Sequence, residues 1–209
     1  MKKPVFALFL ALAFVMLTVS VSPAAAEEYE TLTPPQPTQD ASKIEVIEFF
    51  WYGCPHCYAF EPLVRDWLKT LPAHVQFIRQ PAIFSEVWGK HAKAFFTAEA
   101  LGILDKVHDA LFDAIQNQHR KLLTEEDLGK FFAEHGVKEE DFRNAYRSFL
   151  VDTRMRQAEG MAARYGVTGV PALVVNGKYK INTTLAKTHE NMLKIADRLI
   201  QQETAARSQ

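Results

Sequence analysis

One stretch constrains this chain more than any other: residues 44–60, IEVIEFFWYGCPHCYAF. It reads as a strand from Ile44 to Phe50, a tight turn at Gly53, and a helix that opens on Cys54-Pro55-His56-Cys57. The nearly continuous apolar residues suit a strand covered on both faces. Pro55 suits the first turn of a helix, where its missing N–H is no loss. Cys54 and Cys57 are the only two cysteines. A bridge across a two-residue spacer constrains the unfolded chain little, which weakens a purely structural role. A zinc site wants about four ligands, and only His56 is nearby. Haem attachment needs a histidine directly after the second cysteine, and Tyr58 stands there. A thiol–disulfide redox pair is favoured by the spacing and by the strand that runs into the helix.

Disulfide exchange is carried by thiolates. A sulfur at a helix start meets free backbone N–H groups and the positive end of the helix dipole. Cys54 is therefore expected to be exposed, acidic and the atom a partner attacks, and Cys57 the buried resolving thiol. Pro55 stiffens the turn. His56 can donate to the Cys54 sulfur or place positive charge near it. A stabilised Cys54 thiolate favours the dithiol and makes Cys54 a good leaving group, so the disulfide form oxidises other thiols. Glu48 interrupts the apolar strand. It either faces solvent at a sheet edge or lies buried beneath the cysteines, where burial would raise its pKa and let it relay a proton to or from Cys57. Glu61 is a second acid near the same helix end.

Residues 1–26 carry Lys2 and Lys3, an apolar run from Val5 to Val19, and Ala24-Ala25-Ala26, the pattern of a cleaved secretory signal. An uncleaved membrane anchor is the competing reading, but the apolar run is short for a bilayer span. The formal net charge of −1 becomes more negative once the two lysines leave, which gives no electrostatic footprint for nucleic acid. Export also implies a compartment in which disulfides persist.

Glu27 to Ser42 is a polar, proline-bearing leader, with Tyr29 and Leu32 able to dock as a short edge strand. Val75 to Arg79 reads as a second strand, parallel to the first through a right-handed crossover. Helical periodicity then takes over. Segments 87–96, 104–118, 124–135 and 139–149 each place apolar residues on one face, and 151–165 reads as one longer helix closed by Gly166. The aromatic stripe along these segments suits a core better than a ligand box. Ala172 to Val175 and Lys178 to Ile181 form a hairpin about Asn176-Gly177, a type I′ turn signal. Leu185 to about Gln202 closes the chain as a helix, with Ala205 to Gln209 fraying. Pro171 opens the first hairpin strand. A cis Val170–Pro171 bond facing the cysteines would leave the Val170 backbone open to an extended substrate by strand addition.

These motifs together, Glu48-Phe49-Phe50 with Cys54-Pro55-His56-Cys57, Gly169-Val170-Pro171, and Val175-Asn176-Gly177-Lys178-Tyr179, make the chain resemble the DsbA-type thiol:disulfide interchange proteins of bacterial periplasms. The resemblance implies an α/β, thioredoxin-like fold with an inserted helical domain. The expected division is a signal peptide over 1–26, a first thioredoxin-like part over 27–85, the insert over 86–150, and a second thioredoxin-like part over 151–209. It implies a protein dithiol oxidase located in the periplasm. Its clients would be unfolded or reduced exported proteins, and a membrane quinone-linked DsbB-type partner would reoxidise it. No cofactor beyond a Cys54–Cys57 disulfide and no metal are expected, and a monomer is the simplest state. Carried over by position, Cys54 is the nucleophile, Cys57 the buried cysteine, His56 the thiolate stabiliser, Glu48 the buried acid, and Val170-Pro171 the cis-proline loop. Trp51, Tyr52, Tyr58 and Phe84 are candidates for an uncharged substrate groove. A reductase or isomerase of the same fold, and a peptide-binding chaperone without turnover, are the competing functions.

Overall fold

The computed structural model describes residues 27–207. The expected signal segment, 1–26, lies outside them. Five strands form one sheet in the order β1-β5-β4-β2-β3. These are β1 (Glu30–Thr31), β2 (Ile44–Phe50), β3 (Val75–Pro81), β4 (Ala172–Val175) and β5 (Tyr179–Asn182). The interior strand β2 is buried at all seven positions, in accord with its nearly continuous apolar texture. It runs parallel to β3, with Ile44 opposite Val75 and Glu48 opposite Arg79. It runs antiparallel to β4, with Val46 opposite Val175 and Glu48 opposite Leu173. Strands from the two ends of the sequence thus meet around β2.

Helix α1 (Pro55–Leu68) leaves β2 through the cysteine turn and runs unbroken with Pro62 inside it. Phe60 and Val64 of α1 pack with Ile44 and Val46 of β2, Leu173 and Val175 of β4, and the apolar stripe of the last helix, α9 (His189–Arg207). On the other face of the sheet, Ile47, Phe49 and Val174 pack against Ala162, Tyr165 and Val167. Alternate side chains of a strand point to opposite faces, so Glu48 shares the α1 side with Val46 and Phe50.

The helices of the insert are α2 (Glu86–Ala100), α3 (Leu104–Gln116), α4 (Glu125–Glu134), α5 (Glu139–Tyr146) and α6 (Phe149–Ala158). Phe95, Leu111, Phe112, Leu128, Phe131, Phe132 and Phe142 form their common core, joined by Phe50, Tyr52 and both cysteines. The aromatic stripe is therefore core. Ser85 and Thr124 cap α2 and α4 by accepting from Trp88 and Asp127 backbone N–H groups.

Three local expectations are corrected. The single helix expected over 151–165 is broken into α6 and α7 (Met161–Arg164), because Gly160 takes a left-handed φ of +75° and Glu159 leaves helical geometry. The boundary expected at 150 falls inside α6, whose Val151 and Ala158 pack in the insert's core. The closing helix holds its form to Arg207 instead of fraying from Ala205, because Arg207 donates to the Lys43 carbonyl at 2.8 Å and to Asn176 Oδ1 at 3.1 Å. A four-residue helix, α8 (Thr183–Ala186), precedes α9.

The hairpin turn takes positive φ at both Asn176 and Gly177, +51° and +65°, as a type I′ turn requires. The proline-rich leader lies across it. Leu32 N–H donates to the Lys178 carbonyl at 2.7 Å and Gln36 N–H to the Gly177 carbonyl at 2.8 Å. A Cβ on Gly177 would stand 2.0 Å from the Gln36 oxygen, so this close crossing needs glycine. The Thr33–Pro34 bond in the leader is cis.

Candidate functional site

Cys54 is the N-cap of α1, in extended conformation at φ −92° and ψ 114°, and its sulfur accepts from the Cys57 backbone N–H at 3.4 Å. Both cysteines are free thiols. The hydrogen bond from the Cys57 thiol, then the backbone N–H groups of Cys57 and His56 and the charge of His56, outweigh burial and lower the Cys54 thiol to about 6. Cys57 lies one turn inward with 1% of its surface accessible, and burial pushes its thiol far up. The two sulfurs of one pair are therefore driven in opposite directions.

The expectation that Cys54 is exposed needs correction, since only 8% of it is accessible. The loop before β4 covers it. The Val170–Pro171 bond there is cis, and the Val170 carbonyl oxygen is 3.5 Å from Cys54 Sγ. Val170 lies 116 residues after Cys54 in the chain. His56 is exposed, and its ring meets the ring of His189 at the start of α9 at 6.3 Å.

The turn between β2 and α1 is held by the insert. Trp51 folds back over Gly53, where a Cβ would meet the indole at 2.2 Å, so glycine is required by close approach. The indole stacks on Trp88 of α2 at 4.3 Å and donates Nε1–H to His91 Nδ1 at 3.0 Å. Gln116 of α3 donates to the Tyr52 carbonyl at 2.8 Å. Tyr52 faces inward with 1% exposed, and its hydroxyl meets His108 Nδ1 at 2.8 Å. It is corrected from a groove candidate to a core residue, because the aromatic core of the insert closes over the turn. Tyr58 is half-buried and its hydroxyl accepts from Asn117 at 2.7 Å. Phe84 is 44% exposed and leans on Trp88 at 4.9 Å. Trp51, Trp88 and Phe84 thus form a continuous aromatic row beside the cysteine turn.

Glu48 is 1% exposed, which excludes the solvent-edge alternative. Burial, then the charge of Glu61, raise it to about 8 against the pull of Arg79. A charge on Glu48 acts on Cys57 and would raise that thiol further. Glu61, also buried, is held below the usual carboxylate range. Burial pushes it up, but His108 and its direct ion pair with Arg79 outweigh that. Arg79 Nε stands 3.7 Å from Glu48 Oε2, and neither atom has a hydrogen-bond partner among the described residues. Of the two acids, Glu48 is the one that keeps a proton near neutral pH.

Arg79 and His108 were not singled out by sequence. A charge at the end of a strand is ordinary, and a histidine on an apolar helix face reads as core. The pairing of β3 with β2 in register was the one signal that could have placed Arg79 opposite Glu48. Among the described residues, no group of three or more His, Cys, Asp or Glu is arranged to hold a metal ion.

A profile of the DSBA-like thioredoxin domain matches residues 45–196. The thiol:disulfide interchange protein DsbA of Pseudomonas aeruginosa is 47% identical over 182 residues, 87% of this chain and 86% of that protein. The protein of the same name from Azotobacter vinelandii is 45% identical over 190 residues, 90% and 89% of the two chains. The crystal structure of Pseudomonas aeruginosa DsbA superposes with a TM-score of 0.84 at 47% identity, covering 87% of this chain and 95% of that one.

Proposed function

The chain belongs to the DsbA family of thiol:disulfide interchange proteins, and we propose that it passes its Cys54–Cys57 disulfide to reduced proteins in the periplasm with Glu48 supplying the proton. It is a protein dithiol oxidase of thioredoxin fold with a helical insertion, working through a mixed disulfide. The observation that carries the proposed course is the opposed ionisation of the two thiols, Cys54 low and Cys57 high.

A client thiolate attacks Cys54 Sγ. The Cys54–Cys57 bond breaks, the client–Cys54 bond forms, and Cys57 leaves with the electron pair. A buried thiolate at Cys57 is costly, so it takes the proton of the Glu48 carboxylic acid. A second client thiolate then attacks the client sulfur of the mixed disulfide, and Cys54 departs as the stabilised thiolate. The client is oxidised by two electrons and the protein is left as the dithiol. His56 and Pro55 support the Cys54 end of this exchange. Val170 and Pro171 lie over Cys54 and offer backbone to an extended client. The row of Trp51, Trp88 and Phe84, with Tyr58 nearby, offers an apolar flank.

A quinone-linked membrane partner of the DsbB type is the reoxidant in this reading, the working unit is a monomer, and residues 1–26 are a signal removed on export. Residues 27–85 and the chain from α7 onward form the thioredoxin-like part, and α2 to α6 form the insert. The test is the redox equilibrium of the Cys54–Cys57 pair against glutathione, together with oxidation of a reduced client peptide. A couple as reducing as that of thioredoxin would replace the oxidase reading with a reductase.

A further inference from the structure

His108 is buried on α3 of the insert. Its Nδ1 meets the Tyr52 hydroxyl at 2.8 Å, and its Nε2 lies 3.4 Å from Glu61 Oε2, near enough to act on its charge but too far to close a hydrogen bond. The rings of Phe50 and Phe112 pack edge-on against it, each at 5.3 Å, and leave it dry. The polar groups around it come from every element nearby: Tyr52 from the turn, Glu61 from α1, Arg79 from β3 with Glu48 of β2 behind it, and Asp109 on its own helix. A dry imidazole stays neutral, and burial lowers its pKa. With the Tyr52 hydroxyl donating to Nδ1, the ring proton sits on Nε2, the nitrogen on the Glu61 side.

We propose that His108 is a positioning residue for disulfide transfer: its neutral Nε2–H holds Glu61 as the carboxylate, and that charge keeps the proton on Glu48 until Cys57 takes it. The inference rests on the reading of Glu48 as proton donor. No bond to His108 is made or broken, and the only proton that moves in the step passes from Glu48 to Cys57. Were Glu61 to hold the proton instead, its ion pair with Arg79 would fail. Arg79 would then turn to Glu48, 3.7 Å away, and fix it as the carboxylate. The helical insert would in this way govern the acid beneath the cysteines through one side chain, although it contributes no atom to the exchange. It also gives the inward-facing Tyr52 a task, which is to fix the tautomer of His108.

The test measures the rate of oxidation of a reduced peptide against pH, normalised to peptide thiolate, in wild type, Glu48→Gln, His108→Leu and His108→Gln. The thiolate absorbance of Cys54 and a thermal melt are recorded for each. The wild-type rate should fall as pH rises through about 8, and Glu48→Gln should remove that fall. His108→Leu should move the fall to lower pH by about one unit. His108→Gln, whose amide can donate to Glu61, should restore most of it, and the Cys54 titration should stay unchanged throughout. If His108→Leu does not fold, Tyr52→Phe keeps the imidazole without its orienting hydroxyl and should give a smaller shift in the same direction. A fall that stays in place in the His108 and Tyr52 variants overturns the inference and leaves Glu48 as donor. A fall that persists in Glu48→Gln overturns both.

Discussion

Glu48 and Arg79 stand opposite each other on the paired strands β2 and β3, yet Arg79 closes its ion pair on Glu61 and leaves Glu48 Oε2 at 3.7 Å. Two acids compete for one cation in the interior, and the loser is the one that keeps its proton. Glu48 also acts electrostatically on the Cys57 thiol, so the acid that keeps its proton is one that the buried thiol feels.

Replacing Glu48 by Gln should therefore slow the attack of client thiolate on the disulfide by about 100-fold near neutral pH, the low end for a lost general acid. The Cys54 titration should be unaffected, because that thiol is set by the Cys57 thiol and the N–H groups of the helix start, with Glu48 not among the groups that act on it. Stopped-flow oxidation of a reduced peptide measures the first quantity and ultraviolet thiolate absorbance the second.

The two cysteines should separate cleanly by substitution. Cys54→Ser is expected to abolish disulfide transfer. Cys57→Ser should leave a nucleophilic Cys54 that forms a mixed disulfide it cannot resolve internally. Mass spectrometry after incubation with an oxidised peptide distinguishes the two. Transfer retained by Cys54→Ser would contradict the mechanism.

The reduced protein should be more stable than the oxidised one, and the difference should depend on pH. An acid whose folded pKa is depressed adds stability that is complete above its unfolded pKa and is lost as pH falls through the folded value. For Cys54 that window runs from about 9 down to about 6. The thiolate should contribute about 1 kcal/mol at pH 7 after allowing for solvent screening, and almost nothing at pH 5. Paired denaturant melts of both forms at pH 5, 7 and 8 measure it.

Gly53→Ala should disturb the turn without removing any reacting group. The new Cβ would stand 2.2 Å from the Trp51 indole, which must leave its stack on Trp88. A cost of about 1–3 kcal/mol is expected, in line with overpacking of a tight contact. A change in tryptophan fluorescence should accompany it.

Glu203 offers the contrasting case. Its buried carboxylate accepts from Asn176 at 2.5 Å, Lys178 at 2.7 Å and Tyr179 at 3.1 Å, tying α9 to the hairpin at the end of the sheet away from the cysteines. Glu203→Ala leaves these donors without their acceptor and should cost about 2–3 kcal/mol of stability. The redox equilibrium of Cys54 and Cys57 should not move. A melt and a glutathione equilibration check the two halves of this expectation.

Much of the fold was legible because its signals are local. An unbroken apolar strand, a proline at a helix start, Asn-Gly between two strands, and apolar residues at helical spacing each report on a few neighbouring residues. The parallel pairing of β2 with β3, the hairpin of β4 and β5, the helical insert and the acidic character of Cys54 at the N-cap all followed from such signals. The break at Gly160 was missed because periodicity continues across it while φ does not. Tyr52 is a groove candidate by sequence because the resemblance implies an uncharged groove around the cysteines and Tyr52 adjoins them. Its burial depends on α3 arriving over it, 56 residues later in the chain.

By itself the sequence determined that a thiol pair sits where a strand becomes a helix, and with it which sulfur is the more acidic, since the Cys57 thiol and the backbone N–H groups that lower Cys54 belong to the next few residues. Only the tertiary structure decided which acid holds the proton. Glu48, Glu61, Arg79 and His108 come from β2, α1, β3 and α3, and their charges interact through a dry interior that exists only when those four elements are packed. Such coupling depends on distance and on the exclusion of water, and neither quantity is written in the spacing of residues along a chain.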